Sequence, residues 1–198
     1  MLLKKRQLPI LFVNLVYISI FGIIFLSRKN YEFVGYVGLI VIAFFLVLYT
    51  NRKVNYPNFV LWGLTLWGIL HMSGGGIILK NGDVLYKLIL IPISESYGIF
   101  RYDQFVHIVG FAVATLLIWV LLKPLVRKDL QKWTSLSIII VMAGFGVGAF
   151  NEMIEFLATV FVEETGVGGY INTSLDLVSD LIGAILALIY IRIKKGEI

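Results

Sequence analysis

Cysteine is absent from this chain of 198 residues, which excludes disulfides, thiolate metal sites and cysteine nucleophiles outright. Proline is scarce at 4 residues, and Pro9 and Pro57 sit at the starts of hydrophobic runs while Pro124 follows one. A missing N–H costs little at a helix start. Charge is thin too, at 15% of residues against about 25% in soluble domains. The stretch from Trp133 to Ile191 has no Lys or Arg at all, yet it holds Glu152, Glu155, Glu163, Glu164, Asp176 and Asp180. Those acids have no cation within their own run, so something else must balance them. No Ser/Pro-rich linker, low-complexity tract or internal repeat divides the chain, which reads as a single transmembrane domain over residues 1–198.

What is present is hydrocarbon. The sequence is 59% hydrophobic with a mean hydropathy of +0.92, far above a soluble composition. A spanning helix needs about 20 mostly apolar residues. Six runs qualify: Leu8 to Leu26, Phe33 to Tyr49, Pro57 to Ile78, Phe105 to Leu122, Trp133 to Val162 and Ser174 to Ile193. The expected fold is all-α, a polytopic bundle of six transmembrane helices in the cell membrane. Lys4, Lys5 and Arg6 before the first run resemble a signal sequence, but no small-residue cleavage site follows, so the run reads as a retained helix.

Alternating the loops puts Lys4, Lys5, Arg6, Arg52, Lys53, Lys123, Arg127, Lys128, Lys132, Arg192, Lys194 and Lys195 on the side of the N-terminus. Arg28, Lys29, Lys80, Lys87 and Arg101 fall on the other. Twelve against five is a positive-inside bias that predicts both termini cytoplasmic. The net charge of +5 is thereby accounted for by topology, and no nucleic-acid partner is expected. The longest external connection, Leu79 to Tyr102, holds Val84 to Ile93, too short to span and read as an interfacial or lid-like segment. Gly74-Gly75-Gly76 lacks the Lys-Ser/Thr of a phosphate loop and reads as a flexible helix end.

Counting along alternating helices at about 1.5 Å per residue brings the polar residues of four helices to similar depths. Asp103 and His107 are spaced i,i+4, Glu152 and Glu155 i,i+3, and Asp176 and Asp180 i,i+4, so each pair shares a helix face. His71 falls in the same outer half. Small residues continue the Asp176–Asp180 face of the sixth run through Gly183, Ala184 and Ala187, and Gly144, Gly146 and Gly148 allow close approach on the preceding helix. Ionisable groups inside a membrane segment usually mark an ion, proton or substrate site. The expected metal ligands are Asp103, His107, Glu152, Glu155, Asp176 and Asp180, with Glu152, Glu155 and Asp180 also candidate catalytic groups. Arg101 and His71 are expected to bind substrate. Oxygen-rich ligation suits Mg or Mn and an added imidazole admits Zn. Asp176 could alternatively act as an N-terminal charge on its helix, and Asn151 and Ser179 read as residues that support the ligands or pack, not as ligands. Glu163 and Glu164 read as hydrated acids at a helix exit.

Three blocks, Arg101-Tyr-Asp-Gln-Phe-Val-His107, Asn151-Glu-Met-Ile-Glu-Phe156 and Ser174-Leu-Asp-Leu-Val-Ser-Asp-Leu-Ile-Gly-Ala184, resemble those of the YjdF-like family of bacterial and archaeal membrane proteins. The likeness to VanZ-like proteins is looser. Leu175 stands where the family pattern usually has an aromatic residue. The resemblance implies a membrane protein and little about its activity. Three functions follow from the residues: a metal-dependent membrane enzyme acting on a lipid or lipid-linked substrate, a proton- or divalent-cation-coupled transporter, and a structural membrane protein with a stabilising metal.

Overall fold

Six hydrophobic runs become six α-helices in the computed structural model, which describes residues 4–94, 96–126, 132–162 and 165–194. They are α1 (Leu8–Ser27), α2 (Tyr31–Val54), α3 (Asn58–Gly76), α4 (Tyr102–Leu122), α5 (Trp133–Phe161) and α6 (Tyr170–Ile193). All but α3 are long and apolar enough to cross a membrane. Glycines, tryptophans, His71 and Ser73 lower the apolarity of α3. It nevertheless runs alongside α1 for the same depth, from the Asn14–Thr65 hydrogen bond at 2.7 Å to the Arg28 guanidinium donating to the Gly76 carbonyl at 2.7 Å.

Contacts between neighbours fix the directions. Phe25 stacks near Phe33, with centroids 4.8 Å apart, and Asn51 donates to Gln7 at 3.0 Å, so α2 returns antiparallel to α1. The Tyr102 hydroxyl donates to the Leu70 carbonyl at 3.2 Å where α4 begins beside the far part of α3. Trp119 meets Trp133 at 6.1 Å between centroids, and the Arg192 guanidinium lies 5.0 Å over the Trp133 ring. Both terminal helices therefore have their chain-end termini at one end of the bundle, together with Arg52, Lys53, Lys123 and Lys132; call this the basic end. Arg127, Lys128 and Lys195 lie outside the described residues, as do Glu163 and Glu164.

The interior is built as three packed groups, the smallest of them Ile10, Tyr56 and Leu61 near the basic end. Tyr17, Phe25, Phe33, Tyr36, Ile40 and Met72 join α1 to α3, while Trp119, Leu136, Ile140 and Ile191 close the α4–α6 group near the basic end. Outward-facing residues are equally apolar: Phe12, Ile23, Phe45, Phe150 and Phe156 are all more than half exposed. Hydrophobic surface outside and polar groups inside is what a bilayer solvent selects.

The segment expected to be interfacial or lid-like is built as a 3₁₀ turn at Leu85–Lys87 leading into an antiparallel hairpin, β1 (Ile89–Ser94) and β2 (Ile99–Arg101). Its Ile-Leu-Ile-Pro-Ile sequence is too β-branched for a short helix to compete. One expectation is corrected: the triple glycine does not simply loosen a helix end. The rings of Tyr86, Phe33 and Phe21 press on Gly74, Gly75 and Gly76 respectively, where any Cβ would collide with them.

Small residues also set the α4–α5–α6 seam. A Cβ on Gly183 would meet the backbone of Ile108 and Ala112, one on Gly144 the Thr115 side chain and one on Gly148 the Asp180 side chain. Gly146 has nothing within 4 Å of such a Cβ and takes no part in the close approach expected of it. Residues 144 and 148 are i,i+4 and share a face; 146 points elsewhere.

Candidate metal centre

At the end of the bundle opposite the basic end, α4, α5 and α6 present their polar faces to one another. His107 is the hub. Its Nδ1 lies 2.8 Å from Asp180 Oδ1 and 3.9 Å from Glu152 Oε1, and its Nε2 lies 3.9 Å from Asp103 Oδ1. Two overlapping groups can each bring three ligand atoms within 4.8 Å of one another: Asp103, His107 and Asp176, and His107, Glu152 and Glu155. The six residues expected as ligands are thus gathered around one imidazole.

Burial is deep. Asp176 and Asp180 are 0% exposed, His107 7% and Glu152 8%. No Lys or Arg among the described residues pairs with these carboxylates; the one such ion pair there, Lys87 with Asp83, lies in the hairpin connection. Asp180 Oδ2 and Glu152 Oε2 are buried and make no hydrogen bond to a described residue. Five carboxylates around a single imidazole leave an excess of buried negative charge, which is strongly unfavourable unless a cation or protons balance it.

Amide side chains organise the acids. Asn172, on α6, donates to both Asp103 at 3.2 Å and Asp176 at 2.5 Å. Gln104 points its amide at Asp176 from 3.5 Å, and its carbonyl oxygen accepts from the Arg101 backbone N–H at 2.6 Å. Asn151 donates to Glu155 at 2.9 Å and reaches Glu152 at 3.5 Å. Asn151 thus has the supporting place expected of it. Ser179 is a packing residue: it is buried, and its hydroxyl donates to the Leu175 carbonyl one turn back on its own helix.

In the sequence Asn172 and Gln104 carry little sign of a role, because amides are weak markers of a ligand site. A signal existed, though: Asn172 continues the i,i+4 ladder of Asp176 and Asp180 by one turn. Because α6 starts at Tyr170, Asp176 sits beyond the first turn, where the helix N-terminal field has largely faded. Its surroundings, not helix capping, account for its position.

A cavity of about 1040 Å³ opens beside the centre, reaching Asp103, His107 and Glu155 on one wall and Glu32, His71, Tyr86 and Arg101 on the others. Both expected substrate-binding residues therefore border it. Arg101 precedes α4 as its N-cap residue, and its buried Nε makes no hydrogen bond to a described residue. Glu32, only 8% exposed, accepts from the Gly166 N–H at 2.6 Å and ties the α5–α6 connection to the start of α2. In the sequence it falls just before the run that begins at Phe33, with nothing to mark this contact.

His71 is held by Tyr86, whose hydroxyl lies 2.6 Å from His71 Nδ1 and 2.8 Å from the His71 carbonyl oxygen. A carbonyl only accepts, so the phenol proton points there and Nδ1 donates to the phenol oxygen; the tautomer is assigned from this geometry. Nε2 is left with a free lone pair. Burial, with the Asp103 and Glu155 carboxylates nearby, pushes the Tyr86 phenol well above its ordinary range, so it keeps the proton the arrangement needs. Tyr86→Phe will release the tautomer: ¹⁵N spectra of His71 will change from one protonated Nδ1 to a mixture, with about 1–3 kcal/mol lost from stability. A spectrum left unchanged would refute the assignment.

No curated protein and no solved structure matches the chain. A family model described as "Predicted membrane protein (DUF2238)" matches residues 9–196, taking in every helix and all three motif blocks, and the chain belongs to that family, the one its YjdF-like motifs resemble.

Proposed function

We propose that the protein is a metal-dependent membrane enzyme acting on a phosphate-bearing amphiphile, with a divalent cation held by Asp103, His107 and Asp176. The observation that carries this reading is the division of labour at His107. An ionised carboxylate only accepts, so His107 Nδ1–H donates to Asp180 and the Nε2 lone pair is left on the side of Asp103. A carboxylate on the far nitrogen of a ligating imidazole is the usual way such a ligand is oriented and made more basic. Asp180 accordingly acts through His107, while Asn172 holds Asp103 and Asp176 toward each other.

A bound divalent cation would supply water of lowered pKa and a Lewis acid. The protein's own groups do the rest. Glu155, fixed by Asn151 on the cavity wall, is placed to act as a general base: it would accept the proton of a water that adds to the substrate phosphorus and return it to the alcohol oxygen that leaves as the P–O bond breaks. Arg101 holds an anionic group of the substrate by charge-assisted hydrogen bonds. His71 offers Nε2 as an acceptor to a substrate hydroxyl. A cavity of about 1040 Å³ exceeds what a purely structural ion needs. Transport is disfavoured because the α4–α6 group, which carries the acids, is filled toward the basic end by Trp119, Ile140 and Ile191. The charge asymmetry supports a cytoplasmic basic end and a site facing the opposite leaflet.

Purified protein should contain near one equivalent of divalent metal by elemental mass spectrometry. Reconstituted with total membrane lipid, it should convert a phosphate-bearing species. Glu155→Gln should keep the metal and lose about 10²-fold or more in rate. Metal-free protein that takes up none from Zn, Mn or Mg solutions overturns the proposal, and so does ion flux abolished by Glu155→Gln with every lipid intact.

A further inference from the structure

Strand β1 exposes Ile89, Leu90, Ile91 and Ile93 by 40, 40, 54 and 65%. Successive side chains of a strand point to opposite faces, so both faces of β1 are apolar and uncovered. An antiparallel pair in water keeps at least one polar face, and an isolated two-stranded hairpin is marginal without something to pack on.

The position of the hairpin says what that something is. β2 ends at Arg101 and α4 begins at Tyr102 with no linker, so one strand is anchored at the level where a spanning helix starts. On the other side, α3 ends at Gly76 and is followed by Ile77 and Ile78, 46 and 49% exposed. The apolar hairpin is thereby tethered at both ends to the rim of the membrane-embedded surface. It cannot enter the hydrocarbon core, because the two-stranded sheet leaves edge N–H and C=O groups unpaired among the described residues. The headgroup zone meets both demands, with water for the backbone edges and acyl chains for the side chains.

We propose that β1 is a membrane-surface anchor, lying in the headgroup zone of the leaflet at this end and inserting Ile91 and Ile93 among the acyl chains. Tyr86 and Lys87 immediately before it, and Arg101 paired with Ile89, border the cavity. The anchor therefore holds the cavity mouth against the lipid surface, where an amphiphile can enter without crossing bulk water. This placement stands whether or not a metal binds.

A cysteine-free chain makes the test direct. Single-cysteine variants Ile91→Cys and Ile93→Cys of the full chain, nitroxide-labelled in phospholipid vesicles, are compared with Asn81→Cys in the polar turn and Phe45→Cys on the outer face of α2. At positions 91 and 93 molecular oxygen should relax the label severalfold more than a water-soluble nickel chelate, as at position 45. Chelate-dominated relaxation matching position 81 would overturn the proposal. Spin–spin broadening that vanishes on dilution with unlabelled protein would also overturn it, by showing that a second copy covers the strand.

Discussion

His107→Ala protein will retain no stoichiometric metal, and this is the largest single effect expected from any substitution at the site. The imidazole is shared by both groups of candidate ligands, so no alternative triad survives its removal. Asp180→Asn separates the roles further. It keeps the shape of the side chain but weakens the hydrogen bond that orients the ring, and should reduce metal affinity about 10–100-fold without abolishing binding. Equal losses in the two variants would make Asp180 a direct ligand, as its sequence spacing with Asp176 suggests. Unaltered metal content in His107→Ala would end the assignment. Folding must be followed in parallel. Removing the imidazole takes away the hydrogen-bond partner of buried Asp180, and breaking a buried pair on one side costs about 3–5 kcal/mol. Loss of metal with the helical spectrum intact is the informative result.

Gly183→Val should be the most damaging change away from the ligands. The position faces the Ile108 carbonyl and the Ala112 nitrogen, both backbone atoms, so neither can rotate out of the way. Relief requires α6 to move off α4. Overpacking ordinarily costs about 1–3 kcal/mol, and this case belongs at or above the upper end. Since Asp180 lies one turn away and meets His107 across that seam at 2.8 Å, the same displacement should take the metal with it. Gly146→Ala provides the control. Nothing lies within 4 Å of a Cβ there, and replacing helical glycine with alanine is worth up to about 1 kcal/mol in favour of the variant. Thermal unfolding in detergent, read beside metal content, tests both. A Gly183→Val protein as stable as the parent would show that the two helices are not held at this distance.

The contrast between those glycines shows where sequence reading stops. Gly144, Gly146 and Gly148 are alike on paper, each a small residue in an apolar run. Only the rotation of α5 about its axis distinguishes the two that touch α4 and α6 from the one that does not. The hairpin makes the same point about length. Ten residues from Val84 to Ile93 are too few to span and too β-branched for a short helix, but only the pairing of β1 with β2 separates a hairpin from a re-entrant stub. Asn172 and Gln104 escaped notice because an amide becomes informative only once the carboxylates it serves are known.

By itself the sequence determined six hydrophobic segments, their boundaries to within a few residues except where α2 runs on to Val54 and α6 begins early at Tyr170, and the convergence of three polar motifs at one end. Each of these follows from hydrocarbon thickness and helix rise, quantities that depend on residue count and not on neighbours. Tertiary structure alone decided that His107 is the hub, that its Nδ1 belongs to Asp180, that Tyr86 holds His71, and that α3 and α4 bring Arg101 to the cavity. Those are statements about which atoms of different helices meet. Such meetings depend on the angular setting and separation of the helices, which glycine contacts such as Gly183 on Ile108 and aromatic packing such as Phe33 on Gly75 establish between segments far apart in the chain.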